Sequence, residues 1–462
     1  MASVLFERIP LALAAGSATD PTAVAELEER QAEPLSYYLE YTAGGVVLVD
    51  SEWQLGDTRA GRLVLTLEPG AWPLRGAVAE VWTDATKIAV AHQAVLGSFG
   101  PQAQPLQGRW ARLSKAPPGA DATAVLAAVT GEHADLVRPV WKQMGQQLVD
   151  VVGVVLAEEV GWRTSGEGWL FLIRYQDRAV RPPRTRVQMI RGGRAGLSDL
   201  TPRIPELRAL GTKAIAVAGL GALGAPAAIE FAKAGLGRLH LLDFDHVEAG
   251  TTPRWPLGLQ AVGHQKVQAL GGFLAAQHPY TTTLVWQHQI GAPSAGDHEL
   301  ELIDGFLDGV SLLYDASAEI GVQQFLSDIA RARGLPYLCV SATHGAWGGI
   351  VARIDPDSGG CWNCLQLALD DGTIPVPPRD PADLVQPAGC ASPTFTGSGL
   401  ELGFVALAGV RAAAGCLAVE SGFGWSEHAV TVVSLRDGVG NLIAPSFQTY
   451  PLARHAKCEQ HD

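Results

Sequence analysis

The first 338 of the 462 residues contain no cysteine. A disulfide framework is therefore excluded there, and the six thiols crowded into the last quarter fit a reducing compartment. The chain also lacks an uncharged apolar run approaching the ~18 residues that read as a membrane span. Its N-terminus places Glu7 and Arg8 ahead of only a short apolar run, unlike a secretory signal. No basic stripe offsets the formal net charge of −13. The densest basic stretch, Arg178 to Arg194, has six arginines but no regular aromatic spacing, so it reads as linker or partner surface. Nucleic acid and membrane are excluded as expected partners, and the expected location is cytoplasmic. No internal repeat is present. Apolar residues make up 47% of the chain, enough for a large core and two or three domains.

The informative stretch is Ala214-Ile-Ala-Val-Ala-Gly219-Leu-Gly221-Ala-Leu-Gly224. An apolar run predicts a buried parallel strand, the glycines turn the chain, and Ala225 to Ala234 reads as a helix. A second apolar run, Leu239 to Leu242, ends in Asp243, with Asp245 two residues on. This strand–turn–helix–strand unit sets a nucleotide phosphate at a helix N-terminus and an acid beside a ribose. Arg254 and Lys266 follow, spaced so that both fold back over a triphosphate. A dehydrogenase has no use for that pair, whereas cations at phosphates stabilise adenylyl transfer and a departing pyrophosphate. Val310 to Asp315 reads as a further strand ending in a carboxylate, and Pro336 to Ala342 as its parallel neighbour after a helix-like Val322 to Arg333.

With these residues in place, Leu207 to Leu417 resembles the ThiF/MoeB and ubiquitin-activating (E1-like) superfamily of adenylating enzymes, most closely its bacterial members, some of them antiviral. The resemblance implies a Rossmann-like, mainly parallel α/β domain that binds ATP through Gly219, Gly221, Gly224, Asp243, Asp245, Arg254, Lys266 and Asp315. It implies that Asp315 positions Mg²⁺ with the ATP. Departures from the family pattern are Thr251 for an asparagine, Trp255 for a glutamine, and Ala316-Ser-Ala-Glu319 where a second acid is usual. The resemblance further implies a homodimer, with Arg203 or Arg208 reaching into the partner's site or merely capping the surface.

Two cysteine settings carry chemistry. Cys390 lies in a Pro/Gly/Ser-rich loop, 371–397, ahead of the apolar helix Leu402 to Val419. A thiol in such a loop near a helix start is exposed and favours the thiolate, although a structural loop cysteine has the same setting. The resemblance implies that Cys390 captures an adenylated C-terminal glycine as a thioester, with Thr394 or Thr396 supporting it. Cys361-Trp-Asn-Cys364 is half of a zinc site, because tetrahedral zinc wants four ligands and no second CxxC follows. The tail, His455-Ala-Lys-Cys458-Glu-Gln-His461, offers two more ligands or is simply a charged tail. Cys339, in an apolar strand, and Cys416, in an Ala-rich helix, read as inert core thiols.

The expected organisation is an N-terminal α+β domain over 1–177, a linker over 178–204, the adenylation domain over 205–450 and a tail over 451–462. Helices are predicted at 21–40, 121–130 and 138–148, and strands at 45–50, 62–67, 77–82 and 168–174. The N-terminal strand–Pro-loop–strand pattern is weakly similar to conjugating-enzyme folds. Without a cysteine it is no working conjugating enzyme, which leaves a degenerate conjugating-like domain, a degenerate adenylation half or a docking module. The implied activity is ATP-dependent adenylation of a ubiquitin-like protein's C-terminal carboxylate, with thioester capture on Cys390 and handover to a conjugating enzyme. A sulfur-carrier or peptide adenylase without thioester, or a nucleotide-binding scaffold, are the alternatives.

Overall fold

Alternating apolar residues in long β-branched runs build the first unit of the chain, residues 1–196. The computed structural model describes residues 34–460, apart from 54, 69, 71, 84, 98, 100–101, 146, 162, 178–181, 293–297, 383, 387–393 and 424–428. Nine strands form the sheet of this unit: β1 (Val46–Val49), β2 (Ala60–Leu67), β3 (Arg75–Trp82), β4 (Lys87–Val90), β5 (Gln104–Arg112), β6 (Lys142–Met144), β7 (Gln147–Gly161), β8 (Thr164–Asp177) and β9 (Arg186–Arg194). The order β1-β9-β8-β7-β5-β2-β3 returns to β1, because β1 pairs in parallel with both β9 and β3. The sheet is thus a closed ring, with β4 and β6 appended.

Strand β7 shows why the ring holds together. Successive side chains of a strand point to opposite faces. Val149, Val151 and Val155 join Trp110, Trp169 and Phe171 in one core cluster. Val152, Val154 and Leu156 join Val125 and Val129 of the helix Ala122–Glu132 in another. That helix starts at Asp121, whose carboxylate caps the N–H groups of Thr123 and Ala124. Between the apolar residues sits Asp150, almost wholly buried, ion-paired to Arg109 at 2.9 Å and to Arg174 at 2.5 Å. The arginines in turn donate to the carbonyls of Asp135, Val137 and Arg138, fixing the loop before β6.

Three segments differ from the sequence reading. Residues 138–148, expected as helix, form β6 and the start of β7; Gly145, at φ +56°, makes the tight turn between them. Arg186–Arg194, expected within a linker, is β9: Met189 and Ile190 are buried between arginines, and the strand closes the ring. The two units divide between Gly196 and Leu197. The helix expected over 21–40 lies mostly outside the described residues, and its end is a short 3₁₀ turn, Leu35–Tyr38.

The second unit, residues 197–462, is a doubly wound α/β sheet. Its strands are β10 (Ala214–Ala218), β11 (Arg238–Leu242), β12 (Thr282–Trp286), β13 (Leu312–Asp315), β14 (Tyr337–Ala342), β15 (Gly348–Ile354), β16 (Val430–Arg436) and β17 (Leu442–Tyr450). The spatial order is β12-β11-β10-β13-β14-β15-β16-β17. The first five run parallel and the last three are antiparallel additions. Strand β10 leads to β11 on one side, while β13 flanks it on the other, so a crevice opens beyond its C-terminal end. The helix Gly399–Leu417 is long and apolar enough to cross a membrane by length and composition. It packs Leu402, Val405, Ala412 and Ala413 into the core of this unit, and its buried Glu401 pairs with Arg436 at 2.8 Å.

Replacing Asp150 by alanine leaves the buried Arg174 guanidinium and the partly buried Arg109 without their carboxylate. We expect a loss of about 3–5 kcal/mol in the stability of the first unit, measured by urea unfolding.

Candidate nucleotide site

The turn after β10 is shaped by what its glycines exclude. Gly219 has φ +82°, a backbone conformation that costs other residues energy, and a Cβ there would sit 2.7 Å from Ala316 and Ser317. A Cβ on Gly224 would lie 1.8 Å from the Gly219 carbonyl oxygen, so the helix Gly224–Lys233 begins directly against the turn. At Gly221 a Cβ would meet nothing within 4 Å. The helix has no side-chain cap, but Ala225 N–H donates to the Gly221 carbonyl at 3.1 Å and Pro226 has no N–H, so the donors that face an anion are those of the turn itself.

A line of hydrogen bonds ties the charged residues to this turn. Asp243, at the end of β11, accepts from the N–H of Leu220 at 2.6 Å and from the N–H of Asp245 at 2.8 Å. The Asp245 carboxylate, nearly half exposed, pairs with Lys266 Nζ at 2.7 Å, while the lysine itself is buried. The backbone N–H of Lys266 donates to the Asp245 carbonyl at 2.9 Å, opening the helix Lys266–Gln277 there. Trp255 donates its indole N–H to the Leu220 carbonyl at 2.7 Å. It therefore holds the turn from the side opposite Asp243's backbone bond, and it brings Arg254 with it.

Arg254 faces the long strap that precedes the helix Gly399–Leu417. Its guanidinium donates to the Phe395 carbonyl at 2.8 Å and to Thr394 Oγ1 at 2.7 Å, and lies 5.3 Å from the Phe395 ring centroid. Thr394 and Val385 exchange both backbone hydrogen bonds, pinching the base of the strap. Cys390 lies outside the described residues, between those two anchors.

Asp315, at the end of β13, is held from inside the fold. It is fully buried, with one oxygen accepting from the Ser317 N–H at 2.9 Å and the other from Tyr337 Oη at 2.7 Å. Burial without a cation raises its pKa above the usual carboxylate range, against the opposing effect of those hydrogen bonds. It holds the Ala316–Ser317 turn against which Gly219 packs. Beyond the bonds from Ser317 and Tyr337, each carboxylate oxygen of Asp315 keeps a further lone pair.

Away from the turn, Cys361 and Cys364 are joined by Cys458 from the tail. All three sulfurs lie within 4.8 Å of one another and are buried. Cys361 Sγ is 3.8 Å from Cys364 Sγ and 3.7 Å from Cys458 Sγ. Zinc–sulfur bonds of about 2.3 Å in a tetrahedron put neighbouring sulfurs about 3.8 Å apart, so the spacing fits. The Cys364 thiol accepts the N–H of His455 at 3.2 Å, as a thiolate ligand would. The His455 ring turns away to Asp371 at 2.9 Å, and His461 lies outside the described residues. Cys339 is buried, and burial pushes the Cys416 thiol up to about 11.

Sequence reasoning placed Asp243, Asp245, Arg254, Lys266 and the glycines, and the fold gathers them around one turn. It missed Trp255 as a brace, Tyr337 as the partner of Asp315, and Thr394 and Phe395 as partners of Arg254. No local pattern marks those four, since each acts across a gap of more than twenty residues. Arg203 and Arg208 are both exposed.

A sequence model described as the ThiF family matches residues 199–422. A protein of Sinorhizobium fredii, y4qC, is 32% identical over 468 residues, covering 93% of this chain and 76% of its own. The chain belongs to the ThiF family. A second S. fredii protein, y4oA, is 32% identical over 366 residues, or 76% of this chain, which spans only 61% of y4oA. The likeness to y4qC therefore extends through both units. "Adenylyltransferase and sulfurtransferase UBA4" of Yarrowia lipolytica is 28% identical over 199 residues, 43% of this chain and 45% of that protein.

A raised pKa means that Asp315 favours folding in its protonated form. Its contribution is complete below the ordinary carboxylate pKa and fades as pH rises through the raised value. The melting temperature of Asp315→Asn relative to the parent should therefore climb between acidic and neutral pH. A carboxylate held ionised by a cation gives the opposite slope.

Proposed function

We propose that this protein is an ATP-dependent activating enzyme for a ubiquitin-like protein. The observation that carries the reading is the unbroken line from Lys266 through Asp245 and Asp243 to Leu220, which fixes a buried lysine beside an open glycine turn. The residues of that line, with the uncapped helix start and Arg254, suit a nucleoside triphosphate. ATP supplies the leaving group: the carrier's C-terminal carboxylate oxygen bonds to the α-phosphorus, the α–β anhydride bond breaks, and pyrophosphate departs. Lys266 and Arg254 balance the charge on the phosphates, and the N–H groups of the glycine turn donate to their oxygens. Asp243 braces the turn, and its remaining lone pairs, with the more exposed Asp245, accept from the ribose hydroxyls.

Cys390 is the nucleophile of the second step in this reading. Its thiolate attacks the acyl carbon of the mixed anhydride, the acyl–oxygen bond breaks, and AMP leaves with the electron pair. The strap's anchors at Val385 and Thr394, one of them bonded to Arg254, support a cysteine working next to the nucleotide. The name of UBA4 supports adenylyl transfer at a related site. A homodimer, a conjugating enzyme as recipient and a cytoplasmic setting complete the proposal.

The test is trapping of candidate ubiquitin-like proteins with ATP and Mg²⁺ on non-reducing gels. A thiol-sensitive adduct should form and disappear in Cys390→Ala while ATP–pyrophosphate exchange persists. Exchange without any adduct indicates a sulfur-carrier or peptide adenylase, and loss of both signals leaves a nucleotide-binding scaffold.

We also assign zinc to Cys361, Cys364 and Cys458. The purified protein should contain about one zinc per chain by elemental analysis. Cys458→Ser should lose most of it and lower the melting temperature, and a chelator should reproduce that shift in the parent but not in the variant.

A further inference from the structure

Arg254 is the one cation of the nucleotide site whose partners come from the strap. A free arginine side chain samples many rotamers, and fixing it costs entropy. Here the cost is met before any ligand arrives. Thr394 Oγ1 and the Phe395 carbonyl take one N–H from each terminal nitrogen, at 2.7 and 2.8 Å, and the Phe395 ring lies along the guanidinium. A guanidinium carries five N–H donors, so three remain for phosphate oxygens.

The holder is itself fixed. The Phe395 ring lies parallel to the His344 imidazole, at 6.1 Å between centroids. The strap is tied to the turn carrying His344 by the Asp380 N–H to the His344 carbonyl at 2.9 Å and by Thr343 Oγ1 to the Pro378 carbonyl at 2.6 Å. At the far end, Ser398 caps the helix Gly399–Leu417 by accepting the N–H of Glu401. Thr394 and Phe395 are thus held from both sides, by the paired Val385 and by the helix start.

We infer that Thr394 and Phe395 are positioning residues for Arg254, presenting it to the triphosphate, rather than groups that serve the loop thiol. The inference rests on the nucleotide reading of the site and adds to it a specific division of labour. The hydroxyl orients the guanidinium, the ring backs it, and the strap becomes part of the ATP site.

Calorimetric titration of ATP with Mg²⁺ into the full chain tests this. Thr394→Ala should weaken ATP binding about 5–10-fold, the scale of one ordinary hydrogen bond. Thr394→Ser, which restores the hydroxyl, should bind like the parent. In an Arg254→Ala background, Thr394→Ala should have no further effect, because the positioned group is gone. If Thr394→Ala binds ATP like the parent, or costs the same in both backgrounds, the inference is overturned. Should Thr394→Ala fail to fold, Phe395→Leu carries the same cycle, since it keeps an apolar side chain and removes the ring face. A parent protein that binds no ATP at all fails earlier and differently, and it removes the nucleotide reading together with the inference.

Discussion

The site depends on one buried carboxylate. Asp243 stands at the end of β11 and reaches across to the first N–H of the glycine turn that follows β10. A charge-assisted bond of this kind is roughly twice as strong as a neutral one, and it crosses between two parallel strands where backbone pairing has run out. Its second oxygen takes the N–H of Asp245, which orients the next carboxylate toward Lys266. Turn geometry and cation placement are therefore consequences of the same group. Trp255 completes the hold by taking the Leu220 carbonyl, so both polar groups of that residue's peptide are used.

The opposite flank of the turn is held by a different kind of interaction. Asp315 has no cation beside it; a tyrosine hydroxyl and a backbone N–H serve a carboxyl whose burial favours the neutral form. The carboxyl ties the end of β13 to the turn beside Gly219. Asp243 and Asp315 stand at the ends of the two strands that flank β10; Asp243 accepts the Leu220 N–H of the turn between them, and Asp315 accepts the Ser317 N–H beside it. The chain's missing second acid after Asp315, replaced by Ala316-Ser-Ala, removes the other carboxylate that this strand end would have supplied.

The legible part of the molecule was the part with local periodicity. An all-apolar pentad, a glycine turn and an Ala-rich helix identify a parallel-sheet nucleotide fold, and β10, β11, β13 and β14 lie where their apolar runs predict. The ring of the first unit was not legible, because Arg186–Arg194 interleaves its buried Met189 and Ile190 with arginines that mask a strand. The segment 138–148 misled for a related reason. Gly145, at φ +56°, is the turn signal, and the β6–β7 pairing is only three residues long.

The sequence by itself determined the chemistry on offer: glycines, two acids, a lysine and an arginine in the order that a phosphate-binding crossover needs, and a cysteine in a strap. Their spacing along one β-turn-α-β unit sets that, since neighbours in the chain must be neighbours in space. Only the tertiary structure decided which of them work together. Asp315 meets Tyr337, Arg254 meets Thr394 and Phe395, and Cys361 and Cys364 meet Cys458 from the tail. Each of these pairings spans strands or straps far apart in sequence, where no periodicity carries information and only packing brings the groups into reach.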